Sequence, residues 1–309
     1  MRALGRTGLE VSPLCIGTSP LASMPGLYGY AVPEDRAVAT VKAVLSSREI
    51  NFIDTSNGYG SAELRVGQAL RDLGGVPSGF VLATKVDPDP ETGDFSGARV
   101  RASVEESLTR LGLDRIPLLH LHDPERIGFE AATAPGGPVE ALVELKRQGI
   151  AEHLGVAGGP IGLLRRFLGT GVFEVLLSHN RYTLLDRSAR ELFADAHARG
   201  IGVLNAAPYG GGMLVKGPEK QHRYAYGERD DRIAAAALAM RDAAGRAGVP
   251  LAAAALQFSL RAPFVDATVV GVSSPSRVAE TARLAGVPIP DALWTELDAL
   301  APAEDLWLG

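Results

Sequence analysis

Four ionisable side chains of this sequence stand at or just after the ends of three consecutive apolar runs. Asp54, Lys85 and His122 each close one run, and Tyr59 follows Asp54 after a short polar loop. If the runs are parallel strands of a barrel, their carboxyl ends meet at one mouth and bring these side chains together. We therefore expect one site that combines a carboxylate, a phenol, an ammonium and an imidazole.

The chemistry that this set predicts is proton transfer to or from a substrate oxygen. A phenol has a pKa of about 10, and a neighbouring ammonium lowers it by stabilising the phenolate. We expect Lys85 to act on Tyr59 in this way, with Asp54 holding the lysine. Tyr59 then gives a proton to a carbonyl oxygen as a hydride reaches the carbon, or takes one from an alcohol. His122 donates a hydrogen bond to the same oxygen.

Each of these residues, taken alone, also has an ordinary structural interpretation. Asp54 suits a helix cap, Lys85 a surface position and Tyr59 a packed loop aromatic. The convergence of all four at the same end of three successive strands favours a catalytic site.

Eight short apolar runs alternate with longer amphipathic patterns along the chain. Most runs are continuous, which is typical of parallel strands covered on both faces. The predicted strands are 13–17, 51–56, 80–85, 117–122, 154–157, 175–179, 202–207 and 267–272. The predicted helices are one that begins at 32–35, then 61–73, 97–111, 138–148, 162–168, 188–199, 231–247, 251–261 and 275–284.

This alternation predicts an α/β fold, a (β/α)8 TIM barrel with right-handed crossovers. The segment 4–11 predicts an N-terminal β-hairpin that plugs the bottom of the barrel. Because the chain has no linker composition, we expect residues 1–309 to form a single barrel domain. Three aperiodic stretches, 19–30, 124–137 and 209–230, are expected at the rim, where barrel active sites form.

Composition narrows the class of protein. The chain has 309 residues, of which 46% are hydrophobic and 22% charged, and this globular composition argues against disorder. Its net charge of −5 argues against a nucleic-acid partner or a basic membrane-binding face. Cys15 is the single cysteine, so we expect a reducing compartment. Without a run of about 18 apolar residues or an apolar leader, we expect a cytoplasmic protein, either a monomer or a small homo-oligomer.

Four motifs make the sequence resemble the aldo-keto reductase family over essentially its whole length. They are LGRTGLEVS at 4–12, IDTSNGYGSAE at 53–63, TK at 84–85 and LHDP at 121–124. The resemblance implies a barrel that binds an extended nicotinamide dinucleotide without a Rossmann domain. It also implies a catalytic tetrad, which falls on Asp54, Tyr59, Lys85 and His122. The glycine-rich stretch 155–162 does not have the GxGxxG spacing of a Rossmann fold.

Within the family, the sequence is similar to the sugar 1-dehydrogenases that act on D-threo-aldoses, L-fucose and L-galactose. This similarity depends on four less specific motifs, which are GTSPL at 17–21, AVATV at 37–41, RYTLLD at 181–186 and NAAP at 205–208. It implies an NAD(P)-dependent oxidoreductase that oxidises an aldose hemiacetal to a lactone or reduces aldehydes. The residues expected to contact the sugar or carbonyl substrate are Ser19, Tyr28, Tyr59 and His122, with Tyr30 and Trp307 as further pocket aromatics.

The resemblance also assigns the cofactor contacts, although several family positions differ here. The chain has Ala157 and Gly158 where relatives hold the carboxamide with a Ser-Asn pair. His179 stands where a glutamine is usual, and Ala206 where many relatives stack a tyrosine on the nicotinamide. Tyr209 is a candidate replacement for that tyrosine. The residues assigned to the cofactor are Gly17, Thr18, Asp54, His179, Ala207, Tyr209, Gly211, Gly271, Ser273, Arg277, Glu280 and Thr281.

The residues expected at the phosphate end of the cofactor site favour NAD as the cofactor, with NADP as the alternative. The glycines after Tyr209 let backbone N–H groups approach a pyrophosphate, or else form only a flexible loop. Gly271 stands where NADP-dependent relatives often have a lysine, which removes a partner for a 2′-phosphate. Arg277 remains and can contact a phosphate or stack on adenine. Glu280 and Thr281 fall where relatives touch adenine, although Glu280 equally suits a solvated helix position.

Two other functions stay open at this point. A nucleotide-sensing regulatory subunit, like the channel-associated members of the family, would bind the cofactor with little turnover. A metal-dependent hydrolase would use His120 and His122, an H-x-H pair on one strand, with further ligands such as His153 or His179. We predict no metal, and we expect His120 to be a buried, hydrogen-bonded residue and Cys15 to be packed core.

Overall fold

Eight parallel strands close into a barrel in the computed structural model, which describes residues 1–225, 227–228 and 230–309. Each of the eight lies within a few residues of a predicted strand, so the predicted (β/α)8 fold is confirmed. Together with two short antiparallel pairs, the strands are β1 (Arg2–Ala3), β2 (Glu10–Val11), β3 (Leu14–Gly17), β4 (Phe52–Asp54), β5 (Val81–Val86), β6 (Ile116–His122), β7 (Ala151–Gly158), β8 (Val175–His179), β9 (Gly202–Ala206), β10 (Arg223–Tyr224), β11 (Gly227–Glu228) and β12 (Ala267–Gly271). The barrel runs from β3 to β9 in chain order, and β12 closes it by pairing with both β9 and β3.

The strand register places the chemistry-bearing residues side by side at the carboxyl end of the barrel. Gly17 on β3 pairs with Asp54 on β4, and Lys85 on β5 pairs with His120 on β6. Successive side chains of a strand point to opposite faces of the sheet. Ile53 therefore packs in the layer beneath the helices, whereas its neighbour Asp54 points into the barrel.

Helices cover the outside of the barrel, and every helix predicted from the sequence is present. The helices are α1 (Pro25–Tyr28), α2 (Glu34–Leu45), α3 (Ala62–Asp72), α4 (Gly97–Leu111), α5 (Gly128–Thr133), α6 (Pro138–Arg147), α7 (Ile161–Gly169), α8 (Arg190–Ala198), α9 (Met213–Lys216), α10 (Asp231–Arg246), α11 (Leu251–Leu260), α12 (Pro275–Ala285) and α13 (Asp291–Ala299), with 3₁₀ turns at Ser19–Ala22, Pro124–Arg126 and Glu304–Leu306. Local signals set the boundaries: the Ser96 hydroxyl accepts the Arg99 N–H at the start of α4, and Gly112 ends that helix with a φ of 71°.

Helix α13 and the short rim helices α1, α5 and α9 were not predicted from the sequence. Only Leu293 and Leu297 of α13 are buried, so its apolar periodicity is too sparse to stand out, and packing against α10 stabilises it. Each of the three stretches expected to be aperiodic contains one of the short helices. Within the part of the chain that the structure describes, no helix combines the length and apolarity needed to cross a bilayer.

Strands β1 and β2 form the predicted hairpin at the amino-terminal end of the barrel. Leu4 is fully buried and packs against Gly202 at the start of β9. The backbones approach so closely that a Cβ on Gly5 would lie within 2.3 Å of the Gly202 nitrogen. The Arg6 N–H donates to the Gly200 carbonyl at 2.9 Å. The hairpin therefore plugs the end of the barrel opposite the tetrad residues.

Candidate active site

Lys85 and Asp54 form a buried ion pair in the mouth of the barrel. The Lys85 ammonium donates to Asp54 Oδ2 at 2.6 Å and to the Thr55 carbonyl at 2.6 Å. The two side chains are only 1% and 5% exposed. Charges are buried in proteins when they are paired and hydrogen-bonded, as here. The adjacent strands β4 and β5 therefore fix the position of the ammonium together.

Tyr59 lies on the loop after β4, with its ring next to both the ammonium and the imidazole. The Lys85 nitrogen lies 4.7 Å from the ring centroid, and the His122 ring stands edge-on with 5.5 Å between centroids. The loop is held by the Tyr59 N–H, which donates to the Ser56 carbonyl at 3.1 Å. The structure thus brings the four expected tetrad residues to one mouth.

The expected lowering of the Tyr59 pKa by Lys85 is wrong. Although Tyr59 as a residue is partly exposed, burial of its phenol group raises the pKa well above the usual value of 10, and the carboxylates of Asp54 and Asp87 raise it further. The Lys85 ammonium donates to Asp54 and the Thr55 carbonyl, and burial and the carboxylates outweigh its charge at the phenol. Tyr59 is therefore protonated at neutral pH, a state that suits a proton donor better than a base.

His122 ends β6 and contacts Asp87, a residue that the sequence analysis did not single out. His122 Nδ1 lies 2.6 Å from Asp87 Oδ1. Burial by itself lowers the pKa of His122, but Asp87 and Asp123 outweigh it and raise the pKa above its usual 6.5. Burial also raises the pKa of Asp87, but the charge of His122 and the hydrogen bonds from Ser56 and Gly58 lower it to about 2. Asp87 follows Lys85 by two residues, and this spacing was a usable signal because alternate residues of a strand share a face.

The residues expected at the nicotinamide end line the mouth after β8 and β9. His179 ends β8 and pairs in register with Ala206 at the end of β9. The Asn180 amide nitrogen lies 3.3 Å from His179 Nδ1. Burial lowers the pKa of His179 to about 4, so its imidazole is neutral at physiological pH.

Three residues with a left-handed backbone directly follow barrel strands at this mouth. Asp123, Asn180 and Ala207 follow β6, β8 and β9 with φ values of 43°, 62° and 55°. Such values are unfavourable for residues with a Cβ and cluster at functional sites. A hydrogen bond to the barrel holds each of them. The backbone N–H donates to the carbonyl of Ala157 at 2.7 Å from Asp123, of Ala206 at 3.1 Å from Asn180 and of Val269 at 3.2 Å from Ala207.

Tyr209 and the glycines after it form the connection between β9 and α9. Gly210, Gly211 and Gly212 have φ values of 59°, 69° and 98°, which favour glycine. Burial and the charge of Glu280 raise the pKa of Tyr209. Stacking of Tyr209 on a nicotinamide stays a prediction.

Gly17, Thr18 and Gly271 lie where β3 and β12 meet at the mouth. Gly271 pairs with Gly17 in register, and a Cβ on Gly271 would lie 2.8 Å from Pro20 Cγ. A lysine is therefore disfavoured at position 271 unless Pro20 shifts. The Thr18 N–H and hydroxyl both donate to the Asp54 carbonyl, at 2.9 and 3.1 Å, and couple this edge to the tetrad.

The remaining expected cofactor residues lie at the start of α12. The Arg277 guanidinium donates to Glu280 Oε2 at 2.7 Å, and the Thr281 hydroxyl donates to the Arg277 carbonyl at 2.8 Å. Ser274, which follows Ser273, caps the helix by accepting the Arg277 N–H at 3.4 Å. Arg277 and Glu280 thus form a partly exposed ion pair.

Comparison with known proteins decides the family. The model of the aldo/keto reductase family matches residues 13–302. The chain belongs to the aldo/keto reductase family. It is therefore an oxidoreductase from a family that uses nicotinamide cofactors, as the sequence resemblance implied.

This aldo-keto reductase is similar to several characterised dehydrogenases over nearly its whole length. L-galactose dehydrogenase of Arabidopsis thaliana is 34% identical, covering 98% of this chain and 93% of that protein. D-threo-aldose 1-dehydrogenase of a Pseudomonas species is 31% identical, covering 96% and 95%. Pyridoxal 4-dehydrogenase of Microbacterium luteolum is also 31% identical, covering 96% of each chain.

Solved structures of the family share its fold. The holo form of an aldo-keto reductase from Bacillus halodurans matches with a TM-score of 0.78 and 25% identity, covering 97% of this chain and 96% of that one. A crystal structure of the putative aldo-keto reductase from Pseudomonas aeruginosa matches with a TM-score of 0.67 and 28% identity, covering 92% and 93%.

An acidic edge borders the mouth of this aldo-keto reductase beside His122. The ligand atoms of Asp123, Glu125 and His179 lie within 4.8 Å of one another. The Gly159 N–H donates to Glu125 Oε1 at 3.0 Å. Among the described residues, this is the group with the geometry to share a cation, and it does not include the H-x-H pair considered from the sequence.

Ser19 and Tyr28, expected to contact the substrate, are joined at the rim. The Ser19 hydroxyl and the Tyr28 hydroxyl lie 2.6 Å apart, and the Tyr28 and Tyr30 rings lie 5.9 Å apart between centroids. At the C-terminus, the Arg181 guanidinium donates to the Gly309 carbonyl at 2.9 Å. This contact fixes the segment that contains Trp307 beside the loop after β8.

The expectation that His120 is hydrogen-bonded is wrong. His120 is fully buried inside the barrel, and neither ring nitrogen has a hydrogen-bond partner among the described residues. Gly155 provides the space for the ring, because a Cβ there would lie 2.1 Å from His120 Nδ1. Burial lowers the pKa of His120 well below 6.5, and the charge of Lys85 lowers it further.

We expect the stability of the protein to fall as the pH decreases from about 6.5 to about 4.5, partly because of His120. The unfolded chain binds a proton at this residue in that window, whereas the folded chain does not. A single such group contributes a slope of up to about 1.4 kcal/mol per pH unit. Urea unfolding of His120→Leu at several pH values should show a flatter dependence. The same substitution at the exposed His222 serves as the control, and equal slopes for the two variants would contradict the assignment.

Proposed function

We propose that this aldo-keto reductase is an NAD-dependent dehydrogenase that oxidises the hemiacetal carbon of an aldose to a lactone, or reduces aldehydes with the reduced cofactor. The convergence of Lys85, Tyr59 and His122 at one mouth carries the proposal. The names of two relatives support the sugar substrate, since they are L-galactose dehydrogenase and D-threo-aldose 1-dehydrogenase.

Tyr59 is the residue that moves the proton in this proposal. A nicotinamide cofactor, when bound, would supply or accept the hydride. In reduction, the Tyr59 O–H bond breaks and its proton goes to the carbonyl oxygen; in oxidation, the phenolate takes the proton of the substrate hydroxyl. Lys85, held by Asp54, provides the positive charge that the phenolate needs. Because the Tyr59 pKa is raised, the protonated form that reduction needs is present at neutral pH, and the phenolate that oxidation needs forms as the pH increases.

The residues along the mouth fit a nicotinamide dinucleotide. Neutral His179 offers a ring nitrogen to a carboxamide at one end. The glycines Gly210–Gly212, with their positive φ values, give backbone N–H groups access to a pyrophosphate. Gly17 and Gly271 have no side chains, so they leave space for a cofactor where β3 and β12 meet. Arg277 lies at the other end, where an adenosine phosphate would bind.

The acidic edge supports a hydroxylated substrate. Carboxylates accept hydrogen bonds from hydroxyl groups, and a sugar presents several of these. Asp123 and Glu125 stand next to His122, on the side of the mouth away from α12. They are the residues that we propose to orient the hydroxyls beyond the reacting carbon.

We expect kcat/KM with NAD to exceed that with NADP by about 100-fold, because a 2′-phosphate would face the Glu280 carboxylate. Glu280 also occupies the Arg277 guanidinium, which is the nearby cation suited to a phosphate. In Glu280→Ala, the kcat/KM with NADP should rise about 10-fold, with little change for NAD. Initial rates with each cofactor at fixed substrate measure both ratios.

The exposed pair between Arg246 and Glu296 offers a matched control for this prediction. Glu296→Ala breaks an exposed Arg–Glu pair between α10 and α13, away from α12, and should leave the ratio unchanged. A preference for NADP in the unaltered protein would refute the assignment of NAD.

The function is tested by following the absorbance of reduced cofactor with a panel of substrates. The panel should contain L-galactose, L-fucose, a D-threo-aldose and simple aldehydes, with pyridoxal added because of the relative that acts on it. We expect turnover with at least one aldose and NAD. Tight binding of NAD without turnover on any compound would favour the regulatory alternative.

We propose that residues 1–309 form one domain and act as a monomer or a small homo-oligomer in the cytoplasm. The family match over 13–302 supports a single domain. The single cysteine, Cys15, is buried and reduced, which suits a reducing compartment. Light scattering of the purified protein gives the oligomeric state.

A further inference from the structure

The carboxylate of Asp87 is buried at the mouth of the barrel, where it contacts His122 although Asp87 is not a member of the tetrad. Asp87 follows β5 and is 5% exposed. Its Oδ1 lies 2.6 Å from His122 Nδ1, and its Oδ2 accepts the Gly58 N–H at 2.7 Å and the hydroxyl of Ser56. Both carboxylate oxygens are therefore engaged, and one of them is committed to the imidazole.

The surrounding chain leaves little freedom to this carboxylate. A Cβ on Gly58 would lie 2.6 Å from Asp87 Cγ, so the loop must pass directly over the carboxylate. The Asp87 N–H donates to the Ser103 hydroxyl at 3.3 Å, and its carbonyl accepts from Arg99 Nε at 3.3 Å. Helix α4 thus holds the backbone while the loop between β4 and α3 holds the side chain.

These contacts of Asp87 fix the orientation of the His122 ring. With Nδ1 held by Asp87, the other nitrogen, Nε2, lies 3.7 Å from Asp123 Oδ1. The imidazole and the Tyr59 ring are in a T-shaped contact, and the Tyr59 ring is next to the Lys85 ammonium. The titratable groups that act on His122 or stand next to it are Tyr59, Lys85, Asp87, His120, Asp123, Glu125 and His179.

We propose that Asp87 is a positioning residue that holds His122 as an imidazolium with its Nε2–H directed at the reacting oxygen. This inference rests on the proposed function. In reduction, the carbon gains the hydride, the carbonyl electron pair moves to oxygen, and Tyr59 supplies the proton. The Nε2–H bond stays intact and stabilises the negative charge that develops on the oxygen. A charged donor compensates here for a phenol whose hydroxyl is buried among carboxylates.

A titration of His122 tests the inference without any substrate. The protein has six histidines, and the resonances of His122 are assigned by their loss in His122→Asn. In the unaltered protein, the NMR midpoint of His122 should lie above about 6.5, and in Asp87→Asn below it. Asp123 stays in place in both proteins, so the difference isolates Asp87.

The effects of Asp87→Asn on kcat and on cofactor binding should differ from those of a simple loss of packing. We expect kcat of Asp87→Asn to fall about 100-fold with the Kd for NADH, measured by fluorescence, within about two-fold. The remaining reductase activity should fall off at a lower pH than in the unaltered protein, in step with the NMR midpoint. Asp89→Asn makes the same change two residues along, at a partly exposed residue, and should leave both readouts unchanged.

A double variant separates positioning of His122 from other effects. In a His122→Asn background, Asp87→Asn should lower kcat by no more than about two-fold. If Asp87→Asn does not fold, Ser56→Ala removes one hydrogen bond from Asp87 and should give a smaller shift of the midpoint in the same direction.

An unchanged His122 midpoint in Asp87→Asn, or an additive loss of kcat in the double variant, would overturn the inference. Absence of turnover in the unaltered protein would instead overturn the proposed function, and the titration would still report on Asp87 and His122.

Discussion

Replacing Tyr59 with phenylalanine is expected to lower kcat by about 10³-fold or more, in both directions of the reaction. The substitution removes the hydroxyl of a ring that lies next to both the Lys85 ammonium and the His122 imidazole. The ring, which packs at these two groups, is retained. The Kd for NADH should therefore stay within about two-fold, because only an interaction of the transition state is lost. Steady-state kinetics and cofactor fluorescence measure the two quantities.

The pH dependence of the unaltered protein belongs to the same prediction. Burial holds the Tyr59 pKa above its usual value, so the acid form persists through neutral pH. Oxidation needs the phenolate, and its rate should rise with pH, whereas reduction should not gain from alkaline conditions.

A matched substitution controls for the loss of a phenol. Tyr182 is buried in the outer core, stacked on Phe258 with 4.9 Å between ring centroids. Tyr182→Phe should leave kcat close to that of the unaltered protein. Near-full activity of Tyr59→Phe would remove the acid–base role from this residue.

Replacing Lys85 with methionine is expected to lower the free energy of unfolding by about 3–5 kcal/mol and to abolish turnover. The variant leaves the Asp54 carboxylate, on a side chain only 5% exposed, without its cation. An unpaired buried charge is far more costly than a buried pair. Urea denaturation followed by circular dichroism measures the loss.

Two further variants test whether burial of the unpaired charge causes this loss of stability. In Asp54→Asn combined with Lys85→Met, no net charge is left buried, so part of the stability should return while activity does not. Lys42→Met breaks the Lys42–Asp72 pair, which has the same 2.6 Å distance but side chains that are 39% and 32% exposed. Its cost should be about 0–1 kcal/mol. Equal costs for Lys42→Met and Lys85→Met would contradict the role of burial.

The strands and most helices could be predicted because their signals are local. Apolar runs and glycine stops mark β5 and α4 within the sequence itself, and strict alternation leaves few topologies open. The expected tetrad could be predicted for a related reason. Asp54, Lys85 and His122 end neighbouring strands, and parallel strands in a closed barrel present these ends at one mouth.

The electrostatics of the mouth could not be predicted in the same way. A Lys–Tyr pair suggested a lowered pKa for Tyr59, but the pKa depends on how deeply the hydroxyl is buried and on which group receives the ammonium. The ion pair between Arg277 and Glu280 could not be predicted from the sequence either. Two residues one helical turn apart pair only when their side chains turn towards each other.

Periodicity and strand order were enough to predict the barrel and the residue types that meet at its mouth. The contact of Asp87 with His122, and the burial of His120 without a hydrogen-bond partner among the described residues, became visible only in the folded chain. These outcomes depend on loop paths and on the depth of each side chain, which arise from contacts between segments far apart in the chain.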